Sequence, residues 1–226
     1  MEYKNIVEGK FINRPNRFVA YVSIDDVINK CHVKNTGRCK ELLTPNATVY
    51  LEKSSSPNRK TLYDLVTVKK GERLINMDSQ APNKIFREWV ENSGYFNNLT
   101  SIKSEVYYGR SRLDFYLETK NEKIFAEVKG VTLEECGVVK FPDAPTERGV
   151  KHINELITAT DHGYRAIAVF IVQMDNVEYF TPNNAAHPQF VTALKKAEEY
   201  GVEILVLTCS VTPSAVSVSG IIPYKL

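Results

Sequence analysis

Two carboxylates and a lysine at short spacing carry the chemistry that this 226-residue chain offers most clearly. Asp114 stands in SRLDFYLETK, and Glu127-Val128-Lys129 follows after twelve intervening residues in NEKIFAEVKG. With Lys120 and Asn121 at the centre of a tight turn, opposed residues have numbers summing to 241, so Asp114 faces Glu127 and Arg112 faces Lys129. The same register pairs Leu113 with Val128, Phe115 with Ala126 and Leu117 with Ile124, which makes the opposite face continuously apolar. Burial therefore fixes the pairing without reference to function.

Opposed carboxylates with Cβ atoms about 5 Å apart repel unless something positive lies between them. A divalent cation removes the conflict, and magnesium (or manganese) takes one or two carboxylates together with waters and a substrate phosphate. Asp114 and Glu127 are the predicted metal ligands. Lys129 projects from the same face as Glu127, where an ammonium can orient a water or stabilise developing phosphate charge. An arbitrary E-x-K is usually a solvated hairpin face. Here the strands belong to a sheet that should be covered by helices, and the acids oppose each other.

The elements that must hold this hairpin are legible around it. From about residue 81 helices alternate with strands: Ile85, Phe86, Trp89 and Val90 fall on one helical face after Pro82, and strands are expected near 102–109, 111–118 and 123–131. A helix near 146–160 turns Val150, Ile153, Leu156 and Ile157 inward. RAIAVFIVQM and VEILVLTC then read as buried strands around a helix at 188–200 that ends at Gly201. Apolar strands separated by helices argue for a sheet covered on both faces.

Residues 1–80 differ in texture and charge. They hold 14 Lys and Arg against 9 Asp and Glu, a surplus of +5, whereas residues 81–226 hold 15 against 18, or −3. KFINR, RFVAYVSI, VINKCHV, ATVYLEK and TLYDLVTVKKGERLI are short β-rich runs punctuated by Asn-Arg-Pro-Asn, Asn-Thr-Gly, Thr-Pro-Asn and Ser-Ser-Ser-Pro-Asn. About five antiparallel strands in this length suit a small OB-like barrel that binds oligonucleotides. Two domains are expected, 1–80 and 81–226. Arg14 and Arg17 flank one turn, Lys34 and Arg38 another, and all four are candidate phosphate contacts, with Phe18, Tyr21 and Tyr50 nearby as possible stacking surfaces.

On the helix near 146–160, Arg148, Lys151 and His152 occupy the side opposite the apolar stripe, close to an N-terminus that presents free N–H groups. Arg148 and Lys151 are candidate phosphate contacts, and His152 could pair with a phosphate or accept a proton. Cys31, His32 and Cys39 lack a fourth zinc ligand, and zinc is rejected. No window approaches the ~20 apolar residues that span a bilayer, and the four cysteines form no C-x-x-C pair, so the expected setting is the reducing cytoplasm.

Asp114 followed by Glu127-Val128-Lys129 resembles the PD-(D/E)xK nuclease core, although Arg112-Leu113 stands where a proline usually precedes the aspartate. In that superfamily a carboxylate on the preceding helix often joins the metal site, and Glu88 is the candidate. RPNRFVAYV, HVKNTGRCKELL, SRLDFYL, EVKGVTL and FPDAPTERGVKHINEL together resemble the sugar fermentation stimulation protein (SfsA) family along nearly the whole chain. The resemblance implies an N-terminal OB-like domain, a C-terminal restriction-endonuclease-like α/β domain, DNA as partner and a link to sugar-utilisation genes.

Three readings follow. The first is a DNA-binding protein with a magnesium-dependent nuclease site; a homodimer of it would cut both strands. The second is a non-catalytic DNA-binding regulator on a retained nuclease fold. The third, a glycosidase using the paired carboxylates, is disfavoured by the adjacent lysine and the basic partner domain.

Overall fold

A computed structural model describes residues 1–56, 59–109 and 111–226. Pro57 and Asn58 of the Ser-Ser-Ser-Pro-Asn turn signal lie outside the described residues.

The first sheet comprises β1 (Ile6–Asn16), β2 (Val19–Ile24), β3 (Val27–Val33), β4 (Thr48–Lys53), β5 (Tyr63–Lys70) and β6 (Arg73–Asn76), in the order β3-β2-β1-β4-β5-β6. Parallel pairing of β3 with β5, through His32↔Asp64 and Val33↔Leu65, closes it into the OB-like barrel. Alternation does the local work. In β2, Ala20, Val22 and Ile24 are buried while the residues between them are half-exposed. The long run expected at 61–75 is a hairpin, because Gly71 adopts φ +61 at its turn and separates β5 from β6.

The second part begins with α1 (Ala81–Asn92), which has proline in its first turn and Ile85, Phe86 and Val90 buried, as their helical spacing predicts. Then come β7 (Leu99–Tyr108), β8 (Ser111–Thr119), β9 (Lys123–Val131), β10 (Leu133–Glu135), β11 (Val138–Phe141), α2 (Glu147–Asp161), β12 (Arg165–Val172), β13 (Tyr179–Pro182), α3 (Pro188–Glu199), β14 (Glu203–Val211) and β15 (Val216–Ile221). The main sheet runs β15-β14-β12-β9-β8-β7, parallel across β9, β12 and β14 and antiparallel at both margins. β10, β11 and β13 form a small separate sheet. Short strands of three or four residues carry too little periodicity to be seen in sequence, which is why these elements were not anticipated.

Helices cover both faces of the main sheet. α1 packs with Phe115, Leu117, Ala126 and Val128, whereas Ile153, Leu156 and Ile157 of α2 pack with Phe125 and Val131. Central β12 is buried along almost its whole length. α2 is capped by Thr146, whose hydroxyl accepts from the Gly149 N–H at 3.1 Å.

The two parts share a polar seam. Gln173 Nε2 donates to Asn76 Oδ1 at 2.7 Å and to the Asp78 carbonyl at 3.1 Å, and Asn76 Nδ2 donates to the Tyr3 hydroxyl at 2.8 Å. Residues 1–3 lie on the second sheet: Glu2 bridges Ala215, and Tyr3 N–H donates to the Ser214 carbonyl at 2.8 Å. No helix among the described residues is long and apolar enough to cross a membrane.

Candidate metal and phosphate site

The β8–β9 hairpin keeps the anticipated register over Phe115↔Ala126, Tyr116↔Phe125, Leu117↔Ile124 and Glu118↔Lys123, and there the ladder stops. The expected pairs Asp114–Glu127, Leu113–Val128 and Arg112–Lys129 are not made. The strands part instead, and the Asp114 side chain fills the gap: Oδ2 accepts from the Val128 N–H at 2.8 Å, and Oδ1 accepts from Asn83 Nδ2 at 3.1 Å. Opposite Asp114 on β7, Glu105 takes φ +56. Across this irregularity β8 changes face, so Leu113 joins the core under α2 while Phe115 and Leu117 join the core under α1. The apolar face is therefore not continuous. Arg112 pairs with Glu105 at 3.4 Å and stays at the surface.

Glu127 remains in a regular ladder because β9 pairs with β12 along its length, with Glu127 beside Ala168. Its side chain turns toward α2 and is only 2 % exposed. Oε1 accepts from both Lys129 Nζ and His152 Nδ1, and Oε2 has no partner among the described residues. A buried carboxylate oxygen without a donor is costly, and a metal ion satisfies it.

The electrostatics agree. Burial alone would raise the Glu127 carboxyl, but the hydrogen bond from His152 and the charge of Lys129 outweigh it and hold Glu127 below the usual carboxylate range. Asp114 is pushed the other way, by burial and then by the charge of Glu127, against the opposing effects of Lys129, the Val128 N–H and Asn83. One acid is kept ionised while its neighbour is strained by like charge. A divalent cation suits this donor set, with Asp114 and Glu127 as protein ligands and water or phosphate oxygens completing the shell. Among the described residues no group of three or more His, Cys, Asp or Glu is clustered for a metal.

Glu88 does not join them. Its carboxylate lies 2.5 Å from the Met1 amino group, more than a turn beyond the part of α1 that reaches Asp114. Asn83, in the first turn of α1, occupies the place that a helix carboxylate was expected to fill. His152 is also corrected. It is buried against Glu127 rather than turned to solvent, because α2 packs on α3 as well as on the sheet and buries Gly149 and His152 beside the expected stripe. Arg148 is exposed, with Nε 3.3 Å from His152 Nε2, and Lys151 is exposed one turn from it.

The basic residues of the barrel divide. Arg14 donates to four carbonyls, those of Gly37 and Arg38 at 2.9 Å each, Arg17 at 2.7 Å and Asn35 at 2.5 Å, so it holds the loop together and has no fork left for phosphate. Lys34 sits among Asp64, Glu52 and Asp78 at 3.3, 3.6 and 3.6 Å and is likewise committed. Arg17 and Arg38 are exposed. With Lys40 they edge a groove of about 620 Å³ beside Phe11 and Leu43, and Arg17 lies over the exposed Phe18 ring. Through Thr36, Gly37 and Ala144 this groove adjoins a cleft of about 350 Å³ between the two parts, which reaches Gly130, the residue after Lys129.

Gly130 and Gln173 were not anticipated. A Cβ on Gly130 would lie 2.6 Å from Gln173 Oε1 and 2.7 Å from Pro82 Cγ, so glycine is required where β9, β12 and α1 meet. An isolated glycine directly after E-x-K was the available signal.

Known proteins share this architecture. The SfsA N-terminal OB domain matches residues 12–77, and the sugar fermentation stimulation protein RE domain matches residues 80–215. The sugar fermentation stimulation protein homolog of Ruminiclostridium cellulolyticum is 54% identical over 226 residues, covering all of both chains. That of Desulfitobacterium hafniense is 57% identical, covering 100% of this chain and 99% of the relative. The structure of Pyrococcus furiosus SfsA in complex with Ca2+ superposes with a TM-score of 0.91 at 31% identity, covering 100% of this chain and 98% of that one. An OB-like barrel joined to a nuclease-like α/β domain, matched along its length by these relatives, makes this chain a member of the sugar fermentation stimulation protein (SfsA) family.

Proposed function

We propose that the protein binds DNA and hydrolyses phosphodiester bonds with a divalent cation, magnesium or manganese, held by Asp114 and Glu127. The observation that carries this reading is the partnerless, buried Oε2 of Glu127 on the same edge as a strained Asp114. The Pyrococcus relative's complex with Ca2+ supports a divalent cation, since calcium and magnesium both take oxygen ligands. When bound, the cation supplies Lewis acidity and lowers the pKa of a coordinated water. Lys129, half-buried beside the carboxylates, orients the attacking water or meets the charge that develops on phosphate. The barrel, built from residues within 1–80 once residues 1–3 have joined the second sheet, acts as the binding domain, and residues 81–226 as the hydrolytic one. Arg17, Arg38 and Lys40 guide the phosphate backbone along the groove, and Arg148 and Lys151 contact it beyond the cleft.

The test is titration of magnesium and manganese into the protein with single- and double-stranded DNA, alongside Asp114→Asn. Metal-dependent cutting that disappears in the variant supports the reading. The second reading, a non-catalytic regulator of sugar-utilisation genes, is favoured by the name the curated relatives carry. It prevails if DNA is bound tightly and left intact under every metal.

A further inference from the structure

From α2, the buried His152 ring meets Glu127. Arg148 Nε–H donates to His152 Nε2 at 3.3 Å, so in this arrangement the imidazole proton sits on Nδ1 and is donated to Glu127 Oε1. Lys129 donates to that same oxygen. Oε1 is thereby filled from two sides, while Oε2 has no donor although Glu127 is 2 % exposed. His152 itself is 5 % exposed and lies deep in the packing between α2 and β9, where its ring cannot swing out to a phosphate.

We infer that His152 is a positioning residue that commits Glu127 to bind the cation through Oε2 alone, with Arg148 fixing the imidazole tautomer from the surface. This inference rests on the reading of Asp114 and Glu127 as a cation site. A carboxylate free to rotate could offer either oxygen or both. Tied at Oε1, it presents one oxygen in one direction, which suits the strict octahedral demand of magnesium better than the loose, often bidentate shell of calcium. Among the described residues the terminal nitrogens of Arg148 make no hydrogen bond, so a phosphate that engages them also touches the chain leading to Glu127.

The experiment is calorimetric titration of Mn2+, Mg2+ and Ca2+ into the full-length protein without nucleic acid, comparing wild type with His152→Leu, His152→Asn, Arg148→Ala and Asp114→Asn. Leucine fills the space without a donor. Asparagine places an N–H near the position of Nδ1. Partners of metal ligands typically contribute 10–100-fold in affinity, so His152→Leu should bind Mn2+ and Mg2+ about 10–100-fold more weakly, with a smaller loss for Ca2+. His152→Asn should recover most of that loss, and Arg148→Ala should fall between. Wild-type affinity in His152→Leu, or equal losses in the leucine and asparagine variants at unchanged melting temperature, would overturn the positioning role. In either case cation binding that Asp114→Asn abolishes would leave the carboxylate site standing, whereas absence of binding in wild type would remove both.

Discussion

Removing the Arg14 side chain separates a fold-holding arginine from a phosphate-binding one. Its guanidinium donates to four main-chain carbonyls between 2.5 and 2.9 Å, which gather the end of β1 and the loop around residues 35–38. A hydrogen bond from a charged donor contributes roughly 1.5–3 kcal/mol where it is shielded and much less where water can replace it. The bonds to Gly37 and Asn35 are partly buried, and those to Arg38 and Arg17 are exposed. Counting chiefly the first two, Arg14→Ala should cost about 3–5 kcal/mol. For a chain of this size a kcal/mol shifts the melting temperature by roughly 2–4 °C, so the expected drop is about 10 °C. Thermal unfolding followed by circular dichroism measures it. Arg14→Lys should recover little, because one ammonium cannot reach four carbonyls arranged around a planar fork. On the proposed DNA-binding reading, the salt dependence of DNA affinity should keep its slope in any Arg14 variant that remains folded, since every phosphate left unneutralised would lower the slope by about 0.9. A variant that melts within about 2 °C of wild type and shows that lower slope would refute the assignment.

Other expectations follow from the same geometry. Asp114→Asn should raise the melting temperature of the cation-free protein, because it removes a buried like-charge conflict, and should abolish any stabilisation by added magnesium in thermal melts. For Asp114 itself the folded carboxyl is raised above its unfolded value, so its stabilising contribution is present at low pH and is lost as pH rises through the raised value. Glu134 behaves oppositely: burial would raise it, but Lys70, the Gly137 N–H and Arg73 hold it down at about 2, so the stability it gives is present above the ordinary value of 4.5 and is lost as pH falls from there toward 2. Melting temperatures of wild type and Glu134→Gln should converge as pH is lowered across that window. Gly130→Ala should destabilise by about 1–3 kcal/mol through clashes with Gln173 and Pro82, measured by urea unfolding.

What could be read in advance was whatever depends on local periodicity. The α1 stripe of Ile85, Phe86 and Val90, the buried run of β12 and the hairpin register from Phe115 to Glu118 all follow from side-chain alternation and turn chemistry. Asp114, Glu127 and Lys129 come close enough to act on one another's charge, although the ladder pair that alternation predicts for Asp114 and Glu127 is not made. It failed where the backbone leaves its period: at Asp114 a side chain replaces a ladder bond, and nothing in LDF announces that the strand will turn over. Pairings decided at long range were equally hidden. Whether Arg14 ends on a phosphate or on Asn35, and whether α1 offers Glu88 or Asn83, depends on how separate segments dock. His152 was misread because a helix flanked by both a sheet and α3 buries more than one stripe.

The placement of residues 1–3 on the second sheet alters what counts as a module. Residues 2 and 3 lie against the segment leading into β15, residues 6–76 build the barrel, and the chain rejoins the larger fold at Asp78, so the barrel is looped out between two segments that touch the larger fold. A recombination event or an engineer cutting at residue 80 would carry the Tyr3 ring away from the apolar layer it shares with Ile85 and Phe86, and would leave Gln173 facing an empty seat. Residues 4–78 and residues 79–226 therefore share Tyr3, whose ring belongs to the apolar layer of the larger fold.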